Sequence, residues 1–202
     1  MPDTNNCPNS HIITIVSGLP RSGTSLMMKM LEAGGMDILC DNIRTADEDN
    51  PKGYFEFERA KKLREAEFAW LDNARGKVVK VISALVPHLP PSYSYQIIFM
   101  KRALPEILAS QRTMLIRRGE NPNKVSDDEM TSLFEKHLQQ VQNWMASQPN
   151  IAWIEINYNQ LFVDPNPCST QINQFLGNCL DTTQMISAID RGLYRQRMVK
   201  PG

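Results

Sequence analysis

His11-Ile12-Ile13-Thr14-Ile15-Val16-Ser17-Gly18-Leu19-Pro20-Arg21-Ser22-Gly23-Thr24-Ser25 contains the start of three elements in a fixed order. The run from His11 to Val16 is apolar and β-branched, as a strand buried on both faces of a parallel sheet would be. Ser17-Gly18 ends it. Beyond the turn, Leu26, Met27, Met30 and Leu31 fall at helical spacing, and Gly34-Gly35 supplies a C-terminal stop. Strand, glycine-bearing loop and helix in this order aim backbone N–H groups and a helix N-terminus at one point, which is how phosphate oxygens are held.

Gly18 and Gly23 have the spacing of a nucleotide-binding P-loop. A Walker A loop continues after its second glycine with lysine and then serine or threonine. Here Thr24-Ser25 follow Gly23, and the basic residue, Arg21, lies inside the loop. Without that lysine, phosphoryl transfer from ATP lacks its usual contact to the β and γ phosphates, which disfavours an ordinary kinase or ATPase.

Working outward, Lys77–Ile82, Gln96–Met100 and Ile151–Ile156 read as further strands. The segment from Ala103 to Arg118 is compatible with helix, with Pro105 in its first turn where the missing N–H costs little. Ser126-Asp127-Asp128-Glu129 forms a capping box for a helix running to about Ser147. Strands alternating with helices indicate an α/β fold around a parallel sheet. Two polar stretches, Ala46–Gly53 and Arg117–Ser126, read as surface loops.

With 202 residues, of which 42% are hydrophobic and 22% charged, the chain suits one domain spanning 1–202, residues 1–10 forming a flexible tail. Lys+Arg and Asp+Glu are equal at 22 each. No global field therefore recruits nucleic acid or an anionic membrane, and anion binding must be local. Neither a signal peptide nor a membrane-spanning apolar run is visible, so a cytoplasmic location is expected. Cys7, Cys40, Cys168 and Cys179 lack paired spacing and read as four reduced thiols. No metal-ligand spacing occurs.

Pro20-Arg21-Ser22-Gly23-Thr24-Ser25 resembles the loop with which sulfotransferases grip the 5′-phosphosulfate of 3′-phosphoadenosine 5′-phosphosulfate, written P-[KR]-S-G-T-[ST]. A second motif of that family reads the 3′-phosphate with an arginine after a strand and a serine eight positions on. Arg102 follows Gln96–Met100, and Ser110 lies eight residues later. Tyr158-Asn159-Gln160-Leu161-Phe162-Val163-Asp164-Pro165 is similar to the family's Y-E-D-L-x-x-D-P segment, with Asn159-Gln160 replacing the acidic pair. The resemblance covers about Ile12 to Pro165. It implies a three-layer P-loop-like fold with a central parallel sheet of about four to five strands flanked by helices. It also implies that Arg21, Ser22, Gly23, Thr24, Ser25, Arg102, Ser110 and Tyr158 lie at the nucleotide. The family's late Arg-Lys-Gly segment has no counterpart, and Arg191, Arg195 and Arg197 are possible substitutes or a solvated basic face.

By the same resemblance, Arg21 and Lys80 stabilise charge on the leaving phosphate and no metal is required. The histidine that the cytosolic enzymes carry after this lysine is replaced by Ile82. A general base must then come from elsewhere. Glu56 is favoured, because carbohydrate-directed branches use a glutamate after the first helix. Glu58 shares its face in an extended segment, and His88 is a further alternative. The alternative is that both carboxylates are solvated or paired with Arg59 and Lys62, while His11 and His137 read as structural or exposed. The acceptor, a small molecule or a carbohydrate, would be bound by the loops Thr45–Tyr54 and Gly119–Ser126. A P-loop kinase and a nucleotide binder without turnover remain alternatives, separable by nucleotide preference and by transfer of labelled sulfate. Oligomeric state is not legible.

Overall fold

The computed structural model describes residues 10–41, 43 and 53–194. Residues 1–9 with Cys7, the loop residues 44–52, and Arg195 and Arg197 lie outside the described residues. In chain order, β1 (Ile13–Gly18) leads into α1 (Thr24–Ala33), and β2 (Val78–Lys80) and β3 (Tyr95–Lys101) follow. Then come α2 (Leu104–Arg117), α3 (Asp127–Ser147), β4 (Ile151–Asn157), α4 (Tyr158–Val163), α5 (Pro165–Phe175) and α6 (Thr182–Ser187). The strands form one four-stranded sheet in the order β2-β1-β3-β4, with every pair parallel.

That order puts β1 between two neighbours, which is why all six of its residues are buried. Side chains alternate across the sheet. Ile97 and Phe99 of β3 join a core with Trp70, Val86 and the Val141 and Met145 end of α3. Ile98 and Met100 join the opposite core, made by Met27, Met30 and Leu31 of α1, Phe162 of α4, Ile172 of α5 and Met185 of α6. The result is three layers, α/β in class, with the loop after β1 at the carboxyl ends of the central strands.

Three short 3₁₀ segments, Glu58–Glu65, Ala69–Ala74 and Ser83–His88, cover the first core and were not expected from the sequence. The second strand is also shorter than Lys77–Ile82, because the chain turns into the last of these segments at Ile82, which is exposed. Pro105 does sit in the first turn of α2. Ser126 caps α3, its hydroxyl accepting from the Glu129 N–H at 3.2 Å.

Cys179 is disulfide-bonded, which corrects the expectation of four reduced thiols; Cys40 and Cys168 are thiols. Among the described residues no helix is long and apolar enough to cross a membrane.

Ser126 offers a direct test of the helix boundaries. Ser126→Ala should lower stability by about 1 kcal/mol in urea titrations, and Ser126→Asp should restore it, since either oxygen can satisfy the same orphan N–H.

Candidate functional site

The loop 18–23 is shaped by backbone conformations that few residues adopt. Arg21 has φ 72° and Gly23 has φ 100°, both left-handed. Gly23 admits no side chain, because a Cβ there would lie 2.1 Å from Cδ2 of Tyr158. The loop delivers the chain to α1 with no side chain capping its first turn. Helix α2 likewise starts without a side-chain cap, whereas Ser126, Asn157, Asp164 and Asp181 cap α3, α4, α5 and α6. The dipole of α1, whose first turn has no side-chain cap, suits an anion at Gly23-Thr24. Ser22 is buried, and its hydroxyl has no hydrogen-bond partner among the described residues.

The Arg102 and Ser110 pair comes to the loop 18–23. Arg21 donates from Nε to Ser110 Oγ at 2.8 Å, and Arg102 donates from Nη1 to the Arg21 carbonyl at 3.0 Å. The Ser110 oxygen accepts there, so its proton can be given to a ligand oxygen. Arg102 is held from several sides. Its Nε pairs with Glu106 Oε2 at 2.9 Å, the two side chains being 7% and 3% exposed. Its guanidinium lies 4.5 Å from the Tyr158 ring and 5.7 Å from the Tyr194 ring. The other Glu106 oxygen accepts from Asn159 Nδ2 at 2.9 Å and from the Tyr194 hydroxyl at 2.8 Å. Burial raises the Tyr194 pKa, and the bond to Glu106 adds to the effect by favouring the protonated phenol. In the same way, burial first of all raises that of Tyr158.

Lys80, the last residue of β2, turns inward rather than to solvent and is 8% exposed. Its ammonium donates to the Tyr54 carbonyl, lies 3.4 Å from Ser25 Oγ, and is 3.9 Å from a Glu56 oxygen. Glu56 also pairs with Lys61 at 2.8 Å, and Glu58 meets the same lysine at 2.5 Å. The expected partners, Arg59 and Lys62, are therefore replaced by Lys61, while Lys62 faces Glu67 at 3.7 Å. Of the two carboxylates, it is Glu56 that reaches the Lys80 and Ser25 cluster. His88 ends its 3₁₀ segment as an exposed residue, and Arg191 is exposed beyond α6. Among the described residues no cluster of His, Cys, Asp or Glu has the grouping of a metal site.

A cavity of about 340 Å³ opens beside the loop, lined by Leu19, Pro20, Ile82, Ser83, Ala84, Met130, Leu133, Phe134 and His137. His137, read from the sequence as structural or exposed, is half-buried on the wall of this cavity. Its Nε2 is 2.8 Å from the buried Ser83 hydroxyl, and burial lowers its pKa. The sequence did carry a signal for it, since Met130, Leu133, Phe134 and His137 share one helical face. Glu106, Asn159 and Tyr194 were also missed. Glu106 sits four residues after Arg102, a spacing that pairs charges on a helix, but Tyr194 gave no local signal.

No protein-family model matches the chain, and no curated protein matches it. Two solved structures resemble it in fold. The sulfotransferase domain from the curacin biosynthetic pathway is 16% identical over 89% of this chain and 78% of its own, with a TM-score of 0.51. The sulfotransferase domain of the Synechococcus PCC 7002 olefin synthase is 16% identical over 100% of this chain and 94% of its own, also at 0.51. The fold is sulfotransferase-like.

Two outcomes follow from this geometry. Arg102→Ala leaves the Glu106 carboxylate buried without its cation and should cost about 3–5 kcal/mol in denaturant titrations, of which Arg102→Met combined with Glu106→Gln recovers a large part. His137 gives a pH signature. Its native pKa lies below the ordinary 6.5, so on acidification the unfolded chain takes up the proton first. Stability is then retained above pH ~6.5 and falls as pH drops toward the native value, by at most about 1.4 kcal/mol per pH unit for one proton. His137→Gln should flatten that part of the urea-midpoint profile between pH 7.5 and 5.5.

Proposed function

We propose that this protein transfers a sulfuryl group from 3′-phosphoadenosine 5′-phosphosulfate to a hydroxyl or amine of an acceptor molecule. The observation that carries this reading is the meeting of two phosphate motifs far apart in sequence, joined by the Arg21–Ser110 and Arg102–Arg21 hydrogen bonds. An isolated P-loop has no use for the second motif.

The residues present fit the donor. The uncapped first turn of α1, with Pro20, Arg21, Ser22, Gly23, Thr24 and Ser25, forms the anion seat for its 5′ end. Arg102 and Ser110 would hold the 3′-phosphate, with Tyr158 packed against the guanidinium. The donor supplies an activated sulfuryl group on a phosphate leaving group. Lys80 and Arg21 would stabilise the charge that develops on that phosphate, and the near-complete burial of Lys80 strengthens its field. Glu56, oriented by Lys61 and adjacent to Lys80, would take the acceptor's proton. The disulfide at Cys179 favours an oxidising compartment over the cytoplasm expected from the sequence.

Calorimetric titration of adenosine 3′,5′-bisphosphate, ATP and AMP tests the reading. The bisphosphate should bind most tightly, and Ser110→Ala, which also removes the acceptor of the Arg21 hydrogen bond, should weaken the bisphosphate by about 1.5 kcal/mol more than it weakens AMP. A preference for ATP that is indifferent to Ser110→Ala would replace the sulfotransferase reading with that of a kinase. Failure to move labelled sulfate to any acceptor, with tight bisphosphate binding intact, would leave a nucleotide-binding protein.

A further inference from the structure

The cavity beside the phosphate loop is built differently from the nucleotide seat. Leu19 and Pro20 belong to the loop itself, so the cavity opens directly against it. Its far wall is the Met130–His137 face of α3, and its floor is the chain leaving β2 just beyond Lys80. Among the described residues no charged side chain lines it unless His137 is protonated, and burial lowers the pKa of that imidazole, which favours its neutral form. Two large apolar side chains on its walls stand in water, Ile82 at 44% and Leu133 at 53% exposure. Its side-chain polarity is concentrated in one place, the Ser83 hydroxyl and the His137 ring, 2.8 Å apart. About 340 Å³ falls in the range of small-molecule sites, roughly 300–1,000 Å³.

We infer that this cavity is the acceptor pocket, that it takes a neutral apolar alcohol or phenol rather than a sugar, and that the Ser83–His137 pair hydrogen-bonds the acceptor's hydroxyl. The assignment as acceptor pocket rests on the sulfotransferase reading, whereas the ligand class rests on the cavity alone. A sugar bears a hydroxyl on almost every carbon, and apolar walls would strip those groups of water without replacing the lost hydrogen bonds. A hydrocarbon body covers Ile82 and Leu133 instead, and its single hydroxyl finds the single polar pair. The neutral imidazole can donate or accept through the ring nitrogen it presents, and Ser83 adjusts to either tautomer.

The test is calorimetric titration of para-propylphenol, propylbenzene and glucose into the full chain, with Leu133→Asp and the double variant Ser83→Ala/His137→Leu. Leu133 is half-exposed, so its substitution leaves the core untouched. The phenol should bind at least about fivefold more tightly than propylbenzene, as one added hydrogen bond provides, and glucose should not bind. Leu133→Asp should weaken both aromatic ligands by about tenfold or more. Ser83→Ala combined with His137→Leu, which removes both polar groups together and so leaves neither unpaired, should erase the preference for phenol over propylbenzene without weakening propylbenzene, a pattern that a purely structural pair would not give. The proposal is overturned if the phenol does not bind, if glucose binds as well as the phenol, or if phenol binding ignores Leu133→Asp. Because these titrations need no nucleotide, they separate the two readings. Phenol binding without bisphosphate binding would keep the pocket's ligand class and remove its role as acceptor site, whereas the reverse would remove the pocket and keep the nucleotide seat.

Discussion

The Arg21–Ser110 hydrogen bond, together with the Arg102 bond to the Arg21 carbonyl, is the constraint on which the loop 18–23 depends. A non-glycine residue at φ 72° carries a conformational cost of roughly 1–2 kcal/mol, and these bonds fix both ends of the residue that bears it. They are in turn only as rigid as Arg102. That arginine is anchored by Glu106, and Glu106 by Asn159 and Tyr194. Taking such an ion pair out of water gains little net stability, yet a fully bonded network admits one geometry. Its contribution is shape: the guanidinium of Arg102 and the hydroxyl of Ser110 stand at set positions relative to the N-terminus of α1.

Much of this was legible because it is local. The β-branched runs of β1, β3 and β4, the proline at the start of α2 and the Ser126 cap each leave a short-range pattern. The segments at 58–65, 69–74 and 83–88 do not. Their 3₁₀ turns fit neither period, and the first reads as Glu-Arg-Ala-Lys-Lys-Leu-Arg-Glu, too polar to betray that Ala60 and Leu63 are buried. The loop 18–23 and the Arg102/Ser110 pair stood out because loop and helix chemistry favour particular residues at particular spacings, and the fold brings the two together. Tyr194 did not, since its bond to Glu106 spans 88 residues and no local rule links them. Lys80 is intermediate: its position was evident, but its burial is set by Tyr54 and Glu56, which arrive through a segment without regular structure.

Helix α3 divides its length between two tasks. Val141 and Met145 near its C-terminal end are fixed in the core beneath the sheet, while Met130 to His137 form the wall of the cavity. A 21-residue helix is stiff on this scale, so core packing at one end sets the position of the cavity wall at the other. The carboxyl ends of the strands, where ligands of open α/β sheets gather, are thereby given one charged seat and one apolar recess side by side.

Gly23 and Tyr158 have a consequence for how freely this sequence can vary. The glycine touches the ring so closely that any side chain would occupy the same space, and the ring is itself packed by Phe162, Tyr194 and the Arg102 guanidinium. A smaller residue at 158 would make room but leave a hole beside Arg102, and the new side chain at 23 would still sit at φ 100°. Neither change rescues the other. In a library randomised at both positions, Gly23 should be the less replaceable, though it has no side chain with which to do anything at all.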